Sequence, residues 1–208
     1  DLHSFPTRRS SDLFVNSKPV PPDVLLHIKT LKEPLSDIGL ARAVIERLNK
    51  KKLFLRKFEL TSLELGKIKI ASIIKFALRY LVTIEPKERK SFYSYWTGDK
   101  EALTHLDDTA YKEYLDFCTS KIEDYFSAIR DCFTDAWNDP NSKLLSVIAI
   151  NGFIIAYNRF IDDHNVQGFN FFREKLKNLE VDFSKENFLY TSSQYKKFSS
   201  VILEALLK

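Results

Sequence analysis

The sequence predicts a mainly helical protein with a minor strand element, and three observations lead there. Five glycines and seven prolines in 208 residues are too few for an all-β chain built on many tight turns. Apolar residues recur at helical spacing through most of the long segments. Only two short stretches, near 53–60 and 66–70, read as strands. With 44% apolar and 13% aromatic residues, the chain has enough apolar material for a sizeable core.

The elements follow in order. Pro19, Pro21 and Pro22 keep the chain extended before a first helix that Pro21-Pro22-Asp23 opens and that runs to about Lys32. Pro34 ends it, and Ser36 caps a second helix whose apolar face is Ile38, Ala41, Val44, Ile45 and Leu48. The LFLRKFEL stretch, Leu53 to Leu60, and the alternating GKIKI stretch, Gly66 to Ile70, read as two strands of a small hairpin. Ala71 to Val82 predicts a helix burying Ile73, Ile74, Ala77, Leu78 and Leu81, with Lys75 and Arg79 outward. A turn at Gly98-Asp99 precedes one long helix from about Asp108 to Trp137. Asn138-Asp139-Pro140-Asn141 breaks the chain before a helix from about Ser142 to Asp162, apolar nearly all round and therefore central. Gly168 opens an amphipathic helix with Phe172, Leu176 and Leu179, and a last helix runs from about Ser193 to Leu207.

Charge is unevenly spread. The net charge is +4, yet Arg42 to Lys90 holds fourteen Lys/Arg against five Asp/Glu, and Glu101 to Asp139 holds three against ten. A basic stretch followed by an acidic one reads either as two surfaces that attract each other or as a basic face that meets nucleic acid. Cys118 and Cys132, fourteen residues apart on one helix, are separated by about 21 Å, too far for a disulfide, which suits a reduced, cytoplasmic protein. The longest apolar run, Leu144 to Tyr157, is shorter than a membrane span, so no membrane partner is expected. No Walker A, GxSxG or HExxH pattern occurs, and no cofactor is expected.

The strongest partner surface is the run Arg42, Arg47, Lys50, Lys51, Lys52, Arg56 and Lys57, since phosphate contacts need cations clustered on one face. Cations at a helix C-terminus are also favourable without any ligand. Phe92, Tyr93, Tyr95 and Trp96 read as base-stacking rings, as a lid on the core or as a domain interface. His27 reads as a partly buried structural imidazole. His105 with Asp107 and Asp108 lacks the spacing of a helical metal-ligand face, so metal binding is not expected there, and neither a catalytic acid/base pair nor a nucleophile set emerges.

The segment Asp1 to Leu13 resembles translated sequencing-adapter read-through, as found at the ends of metagenomic contigs, and the chain contains no methionine. Both point to a truncated chain with 1–13 artefactual. From Phe14 onward, Phe14-Val15-Asn16-Ser17-Lys18-Pro19-Val20-Pro21 resembles the stretch that follows the name-giving motif in DGQHR-domain proteins, a group that includes DndB-like regulators of DNA sulfur modification. Asn16 and Lys18 are the motif positions in that stretch. The resemblance continues through Ala41 to Asn49, through Gly66 to Ile70, through Tyr125 to Arg130 with Ala136-Trp137-Asn138, and through Leu144 to Phe153. The blocks are individually loose, but their order is specific. The Asp-Gly-Gln-His-Arg pentapeptide is absent; in the family it lies upstream, in a half that resembles ParB and sulfiredoxin folds.

The resemblance implies that residues 14–98 end a DGQHR-type domain and that 99–208 form a helical, bundle-like C-terminal region packed on it, the remainder of a truncated α+β protein. It implies a role in DNA modification (phosphorothioation), phage defence or its regulation. The partners expected are DNA, the N-terminal half of the same protein and further copies of the chain. The alternative expectation is a helical protein–protein or oligomerisation module with no nucleic-acid role.

Overall fold

The computed structural model describes residues 20, 22–55, 57–60, 68–191 and 193–208. The protein is mainly helical. Helix α1 (Pro22–Lys32) lies on α2 (Asp37–Leu48), and the turn between them passes through Pro34. Ser36 caps α2, its Oγ accepting from the Gly39 N–H at 3.1 Å. Leu40, Ala41, Val44, Ile45 and Leu48 are buried, as their spacing requires. His27 is exposed rather than partly buried, because α1 turns Leu26 toward the core and leaves His27, Leu25 and Ile28 outside.

Among the described residues the strand element is smaller than the sequence suggests, and it pairs differently; Gly66 and Lys67 of the second predicted strand lie outside them. Strand β1 (Phe58–Glu59) and strand β2 (Ile68–Lys69) run parallel, with Phe58 opposite Ile68, so they do not form a hairpin. Residues 53–55 are turn, the Phe54 N–H reaching the Lys51 carbonyl at 3.1 Å. The ladder is held instead by a side chain: buried Asn49 accepts from the Phe58 N–H at 3.1 Å and donates to the Phe58 carbonyl at 3.4 Å.

A continuous helix follows as α3 (Ile70–Ile73), a π segment (Ile74–Leu78) and α4 (Arg79–Val82). Ile73, Ile74, Ala77, Leu78 and Leu81 are all buried. The wider π turn re-aims the residues after it, and Arg79 is half-buried rather than fully outward. Two short helices, α5 (Phe92–Tyr95) and α6 (Lys100–Thr104), lead to α7 (Asp108–Cys132). The long helix ends five residues earlier than its apolar spacing predicts. Phe133 leaves helical geometry (φ −127°, ψ 47°), and α8 (Thr134–Asn138) restarts beyond it.

Helix α9 (Val147–Asp163), capped by Ser146, is the central element: Ala149 to Ile154 and Ala156 to Asn158 are buried. It packs on α11 (Tyr195–Leu207) where Gly152 meets Phe198; a Cβ at Gly152 would lie 2.3 Å from Phe198 Cδ1, so only glycine permits this approach. Helix α10 (Phe169–Leu176) closes the far side against α7. Tyr125, Tyr157 and Phe172, one each from α7, α9 and α10, form a triangle with centroids 4.5 to 4.8 Å apart. Rings meeting at these angles combine area burial with edge–face attraction. The buried side chains form one cluster from Leu40 to Leu206. Among the described residues no helix is long and apolar enough to cross a membrane.

Candidate nucleic-acid interface

The basic run sits where α2 ends and the chain turns toward β1. The structure divides its members into three groups. Arg42 is buried, with Nε on Glu46 Oε1 at 2.9 Å and a guanidinium N–H on the Leu60 carbonyl at 3.3 Å. It ties the residue after β1 to α2 and does not face solvent.

Arg47 and Lys51 point at α7. Arg47 reaches Asp116 at 3.2 Å, and Lys51 reaches Glu123 at 3.3 Å. Arg47 is in the last turn of α2 and Lys51 in the bend that follows, while Asp116 and Glu123 sit seven apart on α7, a spacing that keeps both on one helical face. These pairs are partly exposed, so each contributes at most about 1 kcal/mol, and their effect is chiefly to orient α2 on α7. Here the basic and acidic stretches attract each other. Beside them, burial pushes the Tyr111 phenol above its usual range while Arg47 opposes the rise, and the ring stays neutral at pH 7.

Lys50 and Lys52 form the third group. Both are exposed, and neither joins an ion pair among the described residues. They flank Lys51, and turn hydrogen bonds hold the backbone that carries them: the Lys50 N–H reaches the Arg47 carbonyl at 3.1 Å, the Lys51 N–H the Leu48 carbonyl at 3.0 Å, and the Phe54 N–H the Lys51 carbonyl at 3.1 Å. Lys57 is half-buried, its carbonyl accepting from the Ile68 N–H at 2.9 Å. Arg56, Asn16 and Lys18 lie outside the described residues.

The aromatic cluster is a core lid. Phe92 is buried against Tyr157 at 5.3 Å, Trp96 packs on Tyr114 at 5.2 Å, and Tyr95 Oη reaches the carbonyls of Ile161 and His164. Asp107 caps α7, accepting from the Thr109 and Ala110 N–H groups at 3.0 and 2.9 Å, while His105 Nδ1 lies 2.9 Å from the Glu101 carbonyl. Cys118 is buried in the middle of α7, and Cys132 is half-buried at its C-terminal end.

Sequence reasoning missed Asp116 and Glu123 as partners of the basic run. Their seven-residue spacing opposite Arg47 and Lys51 was the available signal, but the pairing of α2 with α7 is needed to read it. In the comparisons with known proteins, no family model, no curated protein and no solved structure matches the chain.

Proposed function

We propose that this chain is a helical, DNA-contacting portion of a DGQHR-domain protein that acts in DNA modification, phage defence or their regulation. In this reading the pentapeptide-bearing half supplies the chemistry, and the present helices supply packing and backbone contacts to DNA. The ordered sequence blocks support the family. The observation that carries the DNA contact is the corner at the end of α2. Arg47 and Lys51 hold it on α7, and Lys50 and Lys52 project from it unpaired among the described residues. Two lysines on a fixed corner can take successive phosphates without the entropy cost of ordering a loop.

The test is retention of a 30-base-pair duplex by the wild-type chain and by the Lys50→Glu, Lys52→Glu double variant. Lys51 is left intact because its reversal would also break the contact to Glu123. The reading expects retention by the wild type and its loss in the variant; equal retention by both would refute it.

A second reading rests on α1. Leu25 is 53% and Leu31 71% exposed, with Val24 and Ile28 beside them. A run of apolar side chains on one short helix favours a protein partner, here the N-terminal half of the same protein. Under that reading Leu25→Asp with Leu31→Asp abolishes association with the pentapeptide-bearing half, while the lysine variant changes nothing.

A further inference from the structure

A second feature lies at the other end of α2. A cleft of about 840 Å³ opens between the π segment with α4, the loop 83–89, α9 and the first turns of α11. Asp37, at the start of α2, lines it, whereas Lys50 follows the end of that helix, about 17 Å along the axis from Asp37 to Leu48. The cleft and the lysine corner are therefore separate sites. The volume lies within the range of small-ligand sites, and the walls mix ring faces with charge.

Two aromatic rings stand exposed on one wall. Phe76 is 40% and Tyr80 49% exposed, four residues apart across the π turn. Each follows a cation that lies over it: Lys75 Nζ is 5.3 Å from the Phe76 centroid, and Arg79 Cζ is 4.6 Å from the Tyr80 centroid. Tyr195 of α11 meets Phe76 at 5.9 Å and joins the two walls. Large aromatics bury themselves where they can; two left open in one cleft, each beside a cation, make a surface on which a planar ring stacks.

The charge around them favours an anion. Arg79 adds positive charge to this wall but is itself engaged: it lies 3.7 Å from Asp37 and donates to Tyr80 Oη at 2.6 Å. On the facing wall Arg159 donates to Ser200 Oγ at 3.0 Å and joins no carboxylate among the described residues, and the same holds for exposed Lys196. Glu85 and Glu88 also line the cleft, from the outer loop, opposed there by Lys87 and by Arg89, which Asp162 holds at 2.9 Å. The floor is fixed, since buried Asn158 donates to the Lys90 carbonyl at 3.1 Å and the Tyr80 carbonyl at 3.4 Å.

We infer that this cleft is a nucleotide site, taking a planar base on Phe76 and Tyr80 and a phosphate between Arg159 and Lys196. A nucleoside monophosphate has both parts, and it occurs free or as one unit of a single strand. The site does not depend on the lysine corner, so the two proposals fail separately.

The experiment titrates AMP by calorimetry and fluorescein-labelled dT12 by anisotropy. The proteins are the full chain, Tyr80→Ala, Lys196→Glu, and the Lys50→Glu, Lys52→Glu double variant, with melting curves showing that each is folded. Tyr80 and Lys196 are exposed, so neither change empties the core. Tyr80→Ala and Lys196→Glu are each expected to weaken binding about tenfold, the loss of one stacked base or one phosphate contact. Binding of AMP identifies a free nucleotide as the ligand, and binding of dT12 alone identifies a strand; both support the site. Absence of binding to either at millimolar AMP and 50 mM salt overturns it. So does binding that Tyr80→Ala and Lys196→Glu leave intact, including the case where only the lysine double variant reduces it.

Discussion

Asn49 grips Phe58 with both ends of its amide, accepting the Phe58 N–H at 3.1 Å and donating to the Phe58 carbonyl at 3.4 Å. The side chain that follows the last turn of α2 thus acts as a strand partner for β1. With two described residues in each strand, the parallel ladder gains little from its own hydrogen bonds. The same amide anchors the chain that leaves the lysine corner.

Replacing Asn49 with alanine leaves a buried Phe58 N–H without its acceptor. The expected cost is about 2 kcal/mol in urea unfolding, from the lost bonds and the stranded donor. A loss under about 0.5 kcal/mol would mean that water takes the place of the amide.

Leu106 is the described non-glycine residue with positive φ, at 57°. It follows the cap of α6, where the Leu106 N–H bonds to the Leu103 carbonyl and the Asp107 N–H to the Ala102 carbonyl, the paired bonds of a Schellman ending. Glycine is the residue suited to that position, and the Leu106 side chain is 42% exposed. Leu106→Gly is expected to raise stability by about 1 kcal/mol by removing the left-handed penalty. A fall of the same size would show that the leucine side chain contributes more in packing than its backbone costs.

Much of this fold was legible in the sequence. Ser36 with its apolar stripe gave α2, and the nearly unbroken apolar run gave α9, because caps and periodicity are local properties. What was missed is non-local. Nothing within Leu53 to Ile70 tells that Phe58 pairs in parallel with Ile68, or that Asn49 supplies the bracing. The helix break at Phe133 leaves the apolar spacing intact, so periodicity read straight through it. The basic run was visible as a run. That Arg47 would be held by Asp116, 69 residues away, depended on how two helices pack. The π segment is likewise invisible, because Ile74 to Leu78 are residue types that an ordinary α-helix also accepts.

The two thiols should differ in reactivity. Burial pushes the Cys118 thiol far up, and it stays protonated inside α7; partial burial and Asp131 also raise the Cys132 thiol, but its side chain is half open to solvent. A thiolate is the reactive form. In native protein at pH 8, iodoacetamide is expected to modify Cys132 alone, and both cysteines after denaturation. Native labelling of Cys118, read by peptide mass, would contradict its place in the core.

Asp124 provides a pH test. Burial lifts its carboxyl above the usual aspartate value, with Glu123 acting the same way and Lys121 opposing. Above the unfolded-state value the folded protein holds this proton more tightly, so the site's contribution to stability falls as pH rises through that window and stays unfavourable at pH 7. Asp124→Asn is therefore expected to melt higher than wild type at pH 7, with the gap closing as pH drops below the ordinary aspartate range. A variant that melts lower at pH 7 would show that the carboxylate is stabilised where it lies.

The most direct measurement for the DNA-contacting role is the salt dependence of duplex binding between 50 and 200 mM NaCl, compared for wild type and the Lys50→Glu, Lys52→Glu variant. Phosphate contacts release counterions, so wild-type affinity should fall steeply with salt, and the variant should bind more weakly with a slope reduced by about 2. A flat response in the wild type, or an identical slope in both proteins, would contradict the role.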